Sequence, residues 1–253
     1  MIEFNKIYNE DCLEGMKRIS DGSVDLIVTD LPFGTTMCGW DSIIPFEPLW
    51  EQYKRVCKSN AAVLLFSKQP FTSDLVKSNL EWFKYEIVWE KSRGANFMQM
   101  KRRPAAVHEN IEVFYNEQPT YNEEKFQVSE RFRDKGRNRQ PRMVQSEHFK
   151  SEFKRLTNVV DDGWRHPQDV IQFDSVWGEG MHPTQKPVDL LRYLIRTYSN
   201  SGDLVLDSCI GSGSTCVAAI QEGRRFVGFE TNKDYFDKAV KWIENEQKQL
   251  RLF

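Results

Sequence analysis

A short motif of acidic, apolar and aromatic residues, Asp30-Leu31-Pro32-Phe33, follows the apolar run 24–29. That run is short and rich in β-branched residues, which predicts a buried strand of a mainly parallel sheet. Ligands bind at the carboxyl edge of such sheets. The Asp30 carboxylate and the Leu31 carbonyl can accept hydrogen bonds from an exocyclic NH2 group, while Phe33 stacks on a flat ring. Taken alone, the motif fits a capped turn and a core aromatic better, so the rest of the chain decides.

A second group of residues, near the carboxyl end, combines a strand, a glycine turn, a helix and an acid after the next strand. Gly211 and Gly213 follow the apolar run 204–207, and Glu230 follows the run 225–229. In nucleoside-binding folds such glycines let the backbone approach the ligand, and the acid binds the ribose hydroxyls. The spacing therefore indicates a nucleoside-type cofactor.

Two cofactors fit this turn, a dinucleotide and S-adenosylmethionine. The dinucleotide fingerprint requires a third glycine, and Cys216 occupies that position. Asp207, at the start of the turn, would meet the positively charged methionine amino group better than a pyrophosphate. S-adenosylmethionine is therefore the favoured cofactor.

The composition is that of a globular protein with a substantial core. The 253-residue chain is 40% hydrophobic and 13% aromatic, enough for one α/β domain or one domain with an insertion. No apolar run reaches membrane-spanning length and the amino-terminal residues do not resemble a leader, so we expect a soluble cytoplasmic protein. The five cysteines include no Cys-x-x-Cys pair, which argues against a zinc site or a disulfide framework.

The net charge of −2 conceals a basic segment. Residues 131–155 contain nine basic and three acidic side chains, so this segment carries +6 and the rest of the chain carries −8. Such asymmetry predicts a surface for a polyanion, although a solvated loop is the commoner cause of a charge run this short. The candidate contacts to nucleic acid are Arg93, Lys101, Arg102, Arg103, Arg131, Arg133, Arg137, Arg139 and Arg142.

Alternating apolar runs and amphipathic segments predict a doubly wound, mainly parallel α/β sheet. The predicted strands are 6–8, 24–30, 61–67, 85–91, 111–116, 204–207 and 225–229. The predicted helices are 11–20, with Asp11 as cap, 46–58, 70–80, 187–199, one ending at 222, and 233–250. Residues 92–110 are predicted to form a loop over the ligand-binding edge. The polar region 117–177, with aromatics among its basic residues, predicts an inserted subdomain or long ordered loops.

Taken in order, these motifs resemble the β group of DNA amino-methyltransferases, a circular permutation in which the catalytic half precedes the cofactor half. The motifs that carry the resemblance are Asp30 to Phe33, the basic region, His182-Pro183-Thr184-Gln185-Lys186-Pro187, residues 207–215 and Glu230. The resemblance spans nearly the whole chain. It implies a class I methyltransferase fold with a catalytic half at 1–116, a target-recognition insertion at 117–177 and a cofactor-binding half at 178–253.

The resemblance also implies roles for individual residues. The catalytic motif is Asp30, Leu31, Pro32 and Phe33. The implied cofactor-binding residues are Asp11, Cys12, Asp30, His182, Thr184, Lys186, Asp207, Cys209, Gly211, Ser212, Gly213 and Glu230. The family usually has Asp-Pro-Pro-Tyr, so Leu31 replaces the first proline and Phe33 stands for tyrosine. Leucine still supplies a carbonyl and phenylalanine still stacks, so we expect activity with some loss of backbone stiffness.

The implied reaction is direct transfer of a methyl group to the exocyclic N6 of an adenine rotated out of double-stranded DNA. In the family an Asp in the first motif position goes with adenine, and the N4 of cytosine is the alternative. Methylation at cytosine carbon would need a cysteine nucleophile, usually after proline, and no cysteine of this chain follows a proline.

Two further alternatives come from other classes of protein. A nicotinamide-dependent oxidoreductase is disfavoured by Cys216, and a catalytically inactive nucleic-acid-binding module would not need Asp30. Neither a metal nor a membrane partner is expected. The recognition sequence, a homodimer and a restriction endonuclease partner stay open.

Overall fold

A computed structural model describes residues 2–34, 42–95, 101–127, 163–176 and 185–250. The strands are β1 (Lys6–Tyr8), β2 (Val24–Thr29), β3 (Cys57–Ser67), β4 (Phe83–Ala95), β5 (Ala106–Phe114), β6 (Phe126–Gln127), β7 (Trp164–Arg165), β8 (Val170–Phe173), β9 (Leu204–Asp207) and β10 (Arg225–Phe229). The helices are α1 (Cys12–Met16), α2 (Phe46–Val56), α3 (Phe71–Ser78), α4 (Val188–Tyr198), α5 (Ser214–Gln221) and α6 (Lys233–Leu250).

The main sheet has the strand order β1-β10-β9-β2-β3-β5-β4-β8. The first five strands of this order, β1, β10, β9, β2 and β3, pair parallel. Strand β5 is antiparallel to its neighbours β3 and β4, and β8 is parallel to β4. The central pair joins distant parts of the chain, because β2 lies beside β9 with Leu26 opposite Val205 and Ile27 opposite Leu206. The carboxyl ends of these parallel strands therefore meet at one edge of the sheet.

Helices cover both faces of the sheet. Side chains alternate along β2, so Ile27 packs with residues of α1, α2 and α3, whereas Leu26 and Val28 pack with residues of α4, α5 and α6. All three side chains are fully buried, and burying each stabilises the fold by roughly 1.5–3 kcal/mol. A strand buried on both faces has to be apolar at consecutive positions, as Leu26, Ile27 and Val28 are here. The predicted doubly wound, mainly parallel α/β fold is confirmed.

The chain divides into two compact units, residues 1–122 with 168–253, and residues 123–167. Within the second unit, β6 pairs antiparallel with β7, and a hydrogen bond joins His166 Nδ1 to the Glu123 carboxylate. The inserted region predicted from the sequence is wider, 117–177, and its role in target recognition stays a prediction. Within the described ranges, no helix is both long enough and apolar enough to cross a membrane.

The predicted loop 92–110 is wrong, because most of its described part belongs to two paired strands. β4 continues to Ala95 and β5 begins at Ala106, with these two residues opposite each other. The sequence here is polar on both sides, so the alternation that marks a strand is weak. Cross-strand pairing, a tertiary effect, overrides that local signal.

The first helix is also shorter than predicted, since α1 ends at Met16. Asp11 is its cap, as expected: the side chain accepts hydrogen bonds from the backbone N–H groups of Leu13 and Glu14. After Met16 the chain continues through tight turns that bond Lys17 to Glu14 and Arg18 to Gly15.

Candidate active site

The carboxyl edge of the sheet carries three acidic residues that are far apart in the sequence. Asp30 follows β2, Asp207 ends β9 and Glu230 follows β10, and these three strands are neighbours or next neighbours. All three side chains line a single cavity of about 560 Å³. Sheet topology therefore brings the predicted catalytic motif and the predicted cofactor turn to one site.

The cavity collects most of the residues singled out from the sequence. Those that line it are Asp11, Cys12, Asp30, Leu31, Pro32, Phe33, Lys186, Asp207, Cys209, Gly211, Ser212 and Glu230. Gly213 does not line it, and His182 and Thr184 lie outside the described residues. The roles given to these residues stay predictions, because location in a cavity does not identify what a side chain binds.

The catalytic motif presents one free acceptor. Lys186 Nζ donates to Asp30 Oδ2, whereas Asp30 Oδ1 is buried and has no hydrogen-bond partner among the described residues. Such orphaned acceptors are rare because their desolvation is not compensated, and they suggest that a ligand supplies the missing donor. Phe33 packs on Phe71 with ring centroids 5.0 Å apart, which fixes its ring beside the cavity.

Lys186 is held between two carboxylates. Its Nζ donates to Asp30 and lies 3.6 Å from Glu109 Oε2, and its side chain is only 8% exposed. Burial lowers the pKa of the Lys186 ammonium, but the two carboxylates outweigh burial and hold the pKa above its usual value. Burial raises the pKa of Asp30, and Lys186 offsets only part of that effect. The lysine therefore remains charged.

Glu109 has a second cationic partner, because Lys91 on β4 donates to its Oε1. Burial raises the pKa of Glu109, but Lys186 and Lys91 together hold it below the usual value. Burial in turn lowers the pKa of Lys91, which Glu109 counters in part. Lys91, Glu109, Lys186 and Asp30 thus form one row of alternating charges, which we call the charge row.

Asp207 is buried without a cationic partner among the described residues. Its Oδ1 accepts a hydrogen bond from the backbone N–H of Cys209 at 3.0 Å. Burial raises the pKa of Asp207 to about 7, and hydrogen bonds from Thr215 and Cys209 offset only part of the shift. A carboxyl group with this pKa would be stabilised in its ionised form by any cation that entered the cavity.

Glu230 accepts two backbone hydrogen bonds. Gly211 N–H donates to Oε2 at 3.0 Å and Asn232 N–H donates to Oε1 at 2.7 Å. Burial raises the pKa of Glu230, and these bonds offset part of the increase. The bonds also fix the orientation of the carboxylate against the glycine turn, where φ of Gly211 is +50°.

Gly213 has a structural reason to be glycine. It caps α5 with φ of +87°, and an added Cβ would lie 3.1 Å from the Ala239 Cβ of α6. A side chain here would strain the backbone and press on α6. Gly213 therefore lies where α5 packs on α6, while Gly211 lines the cavity.

The thiol of Cys209, which lines the cavity, stays protonated. Cys12 hydrogen-bonds the Cys209 thiol and, together with burial, raises the pKa of Cys209 well above its usual value. No group of three or more His, Cys, Asp or Glu side chains in the described part of the chain could hold a metal ion.

The predicted DNA contacts are only partly described. Arg93 is exposed near the end of β4, and Lys101, Arg102 and Arg103 are exposed in the turn before β5. Residues 131–142 lie outside the described ranges. None of the four described basic residues lines the cavity, so their contacts to nucleic acid stay predictions.

Sequence reasoning missed several residues that line the cavity. Among them are Phe66 on β3, Lys68 after β3, Glu109 on β5, Ile43 and Ile44 before α2, and Tyr235 on α6. Glu109 had a detectable signal: it continues the alternation of Ile111 and Val113 toward the amino end of β5, so it occupies a buried-face position.

A doubly wound sheet with a cavity that holds acidic side chains at the carboxyl edge is typical of α/β proteins that bind nucleoside-type ligands. The model of the DNA methylase family, which covers N6- and N4-methylating enzymes, matches residues 24–241. Because this match spans most of the sequence, the chain belongs to the DNA methylase family.

Relatives and solved structures agree with this assignment. The chain is 26% identical to the type II methyltransferase M1.MboII of Moraxella bovis, covering 94% of this chain and 96% of the relative. It is 28% identical to the DNA adenine methyltransferase YhdJ of Escherichia coli, covering 96% and 83% respectively. The crystal structure of the M1.HpyAVI–SAM complex superposes with a TM-score of 0.62 at 22% identity, over 94% of this chain and 98% of that one, which supports the fold.

Proposed function

We propose that the protein transfers a methyl group from S-adenosylmethionine to the N6 of an adenine that is rotated out of double-stranded DNA. Membership of the DNA methylase family supports the reaction class. The relative YhdJ is named a DNA adenine methyltransferase and M1.MboII a type II methyltransferase, which supports adenine in DNA as the target. The structural neighbour M1.HpyAVI was crystallised as a complex with SAM, which supports S-adenosylmethionine as the methyl donor.

The observation that carries the proposal is the unsatisfied oxygen of Asp30. Oδ1 is buried at the cavity wall with no donor among the described residues, while Lys186 occupies Oδ2. An exocyclic amino group is a donor that fits such an acceptor. Phe33 lies beside it and offers a ring on which a base can stack.

The cofactor side of the cavity fits S-adenosylmethionine. Asp207, buried without a cation from the described residues, would pair with the methionine ammonium, and Glu230 would accept hydrogen bonds from the ribose hydroxyls. Gly211 would let the backbone approach the ligand, and Asp11 and Cys12 line the wall proposed for the adenine ring. When bound, the cofactor would supply the methyl group of its sulfonium: the carbon–sulfur bond breaks as the carbon–nitrogen bond forms, a neutral thioether leaves, and the methylated amino group then loses one proton to solvent.

The residues of the chain act by positioning and by electrostatics. Asp30 Oδ1 would hold one amino hydrogen, and the Leu31 carbonyl is the second predicted acceptor. Together they would draw the amino nitrogen out of conjugation with the ring and stabilise the positive charge that develops on it. Phe33 would hold the base plane, and the enclosed cavity would keep the amino group aligned with the donor.

Binding of DNA is assigned to the basic residues outside the cavity. Arg93, Lys101, Arg102, Arg103 and the segment 131–155 would contact phosphates and base edges, with the region 117–177 reading the target sequence. A homodimer and a restriction endonuclease partner stay predictions of the resemblance, and a cytoplasmic location stays a prediction from the sequence.

The test is methyl transfer from radiolabelled S-adenosylmethionine to methylase-free genomic DNA, with digestion of the product to nucleosides. We expect label in N6-methyladenine with the wild-type protein and a loss of roughly 10²–10³-fold in Asp30→Ala, as for removal of one group that stabilises a transition state. Asp189→Ala, which removes a carboxylate that is 81% exposed on α4, is the matched control and should keep full activity.

Label in N4-methylcytosine would retain the mechanism and overturn the choice of base. No label in any nucleoside, with cofactor binding demonstrated by calorimetry, would reject DNA amino-methylation as the activity.

A further inference from the structure

Two residues that the reaction scheme does not use, Lys91 and Glu109, complete the charge row behind Asp30. We infer that Glu109 and Lys91 are positioning residues that hold Lys186 on one oxygen of Asp30 and set the charge around the amino-binding oxygen. The inference rests on the proposed function and adds two residues to it.

The contacts lead from the antiparallel strand pair β4–β5, which we call the hairpin, to the catalytic motif. Lys91 Nζ donates to Glu109 Oε1, Glu109 Oε2 lies 3.6 Å from Lys186 Nζ, and Lys186 Nζ donates to Asp30 Oδ2. Lys186 Nζ is therefore shared between Glu109 of β5 and Oδ2 of Asp30, and it makes no hydrogen bond to Asp30 Oδ1. Without this second carboxylate, the lysine ammonium would be free to move over both oxygens of Asp30 and occupy the acceptor that the amino group needs.

The hairpin fixes this arrangement. Trp89 of β4 is opposite Glu109 of β5, so Lys91, two residues further along, is a diagonal neighbour on the same face. Aromatic rings flank the two ammonium groups: Lys186 Nζ lies 5.0 Å from the Phe66 ring centroid and Lys91 Nζ lies 4.7 Å from that of Trp89. Both lysines are thereby confined while their charges face carboxylates.

Burial makes each charge of the row matter to the others. The side chains of Lys91, Glu109 and Lys186 are 12%, 14% and 8% exposed, so water screens them weakly. The two ammonium groups and the two carboxylates sum to zero. Removing either Glu109 or Lys91 leaves one uncompensated charge, of opposite sign in the two cases, close to the developing positive charge of the reaction.

Four titratable groups act on Asp30 or are acted on by it, and they come from different elements. Lys186 precedes α4, Glu109 is on β5, Lys91 is on β4 and Asp207 ends β9. Lys68, after β3, acts on Glu109 and Lys91. The Glu109 charge raises the pKa of Asp30, whereas the Lys186 and Lys91 charges lower it.

The experiment measures the single-turnover rate constant of methyl transfer against pH, with saturating cofactor and DNA, in Glu109→Gln and Lys91→Met. Transfer needs ionised Asp30, so the acid limb of the profile follows its protonation. Glu109→Gln removes a charge that raises the pKa of Asp30, so its acid limb moves to lower pH. Lys91→Met removes a charge that lowers that pKa, so its acid limb moves to higher pH.

The plateau rate gives a second readout. Glu109→Gln should lower it by roughly tenfold or more, because a net positive charge opposes the charge that develops on the amino nitrogen. The Kd for S-adenosylmethionine should stay within about twofold, since the proposed partners of its ammonium and ribose groups, Asp207 and Glu230, are unchanged. Glu109→Asp keeps the charge and should leave the acid limb at the wild-type pH while lowering the plateau.

The double variant Lys91→Met/Glu109→Gln is neutral again, so its acid limb should return toward the wild-type pH. Glu90→Gln, which removes a carboxylate from the exposed face of the same strand, is the matched control and should shift nothing. Thermal unfolding first checks that each variant is folded. If Glu109→Gln does not fold, the single variant Lys91→Met still tests the inference.

Shifts in the same direction for the two single variants, or an unshifted acid limb in both, would overturn the positioning role. In either case the wild-type protein would still methylate adenine. If the wild-type protein transfers no methyl group to any nucleoside, the proposed function has failed, and the positioning role falls with it.

Discussion

The two sides of the cavity hold their carboxylates by opposite means. On the β2 side, Asp30 and Glu109 are neutralised by Lys186 and Lys91. On the β9 side, Asp207 and Glu230 receive backbone N–H groups but no ammonium or guanidinium group from the described residues.

On the β2 side the protein itself supplies the cations that balance its carboxylates, whereas on the β9 side a ligand would have to supply the cation. The β2 side has its cations in place, while Asp30 Oδ1 and Glu109 Oε2 lack a hydrogen-bond donor among the described residues. The free oxygen of Asp30 suits a neutral donor such as an amino group. The β9 side keeps Asp207 at a pKa of about 7, so it is poised to ionise when a cation binds. The presence or absence of a protein cation beside the carboxylates thus distinguishes the proposed substrate side from the proposed cofactor side.

The largest effect is expected from removing the cation of the β2 side. Lys186→Met leaves Asp30 and Glu109 buried and facing each other, which should lower the free energy of unfolding by about 3–5 kcal/mol at pH 8. The folded pKa of these carboxyls rises above the unfolded value, so the loss grows as pH rises and shrinks toward pH 5. Urea denaturation at both pH values measures it.

The control for this variant is Lys54→Met, whose ion pair with Glu81 is exposed. It should change the free energy of unfolding by less than about 1 kcal/mol. Equal losses in the two variants would mean that the charge row is no more stabilising than a surface pair, and the contrast between the two sides would lose its basis.

The next effect concerns the unpaired carboxyl of the β9 side. Asp207→Asn removes a buried ionisable group whose folded pKa, about 7, lies above the unfolded value, so the free protein should become more stable at pH 8 by as much as about 4 kcal/mol. The gain should fall as pH is lowered, because wild-type Asp207 is then protonated. Denaturation without cofactor at pH 8 and pH 5 checks this, and a destabilised variant at pH 8 would contradict it.

A third prediction concerns cofactor affinity and pH. Ionised Asp207 is the proposed partner of the methionine ammonium, so the Kd for S-adenosylmethionine should rise about tenfold from pH 8 to pH 6 as the ionised fraction falls. Asp207→Asn should bind weakly at both values. Calorimetric titration measures the Kd, and a wild-type Kd that is independent of pH would show that Asp207 does not receive the cation.

The smallest effect is expected at Asp11, where two variants distinguish the helix-capping role of the side chain from the role of its charge. Asp11→Ala removes the cap of α1 and should cost about 1 kcal/mol of stability, whereas Asp11→Asn keeps an acceptor oxygen and should cost much less. Urea denaturation measures both losses. If both variants bind S-adenosylmethionine like the wild type, Asp11 shapes the cavity wall only through the helix it caps.

The buried parallel strands were predictable from sequence because their residues are apolar on both faces. Strands β2, β9 and β10 lie within a residue of their predicted bounds, and the acids that follow them reach the same cavity. Once the strands were placed, the rule that ligands bind at the carboxyl edge was enough to bring Asp30, Asp207 and Glu230 together.

The charge row was not predictable in the same way. Lys91 lay at the end of a predicted strand and Glu109 in the predicted loop 92–110, because polar residues interrupt the local strand signal there. Their partnership depends on the register between β4 and β5 and on Lys186, which is distant in the sequence. Local propensity contains no information on such pairings, since tertiary contacts decide them.

The sheet order also determines when a working site can first exist. Strand β1 pairs only with β10 in the described part of the main sheet, and β2 lies between β3 and β9. The strands made first therefore cannot complete their pairing until the strands near the carboxyl end have been made. At a synthesis rate of about 5–20 residues per second, β1 is made roughly ten seconds or more before its partner strand. Until then β2 has an open apolar edge that can pair with other chains. A chain that has not yet added β9 and β10 therefore lacks Asp207 and Glu230 and cannot form the complete cavity.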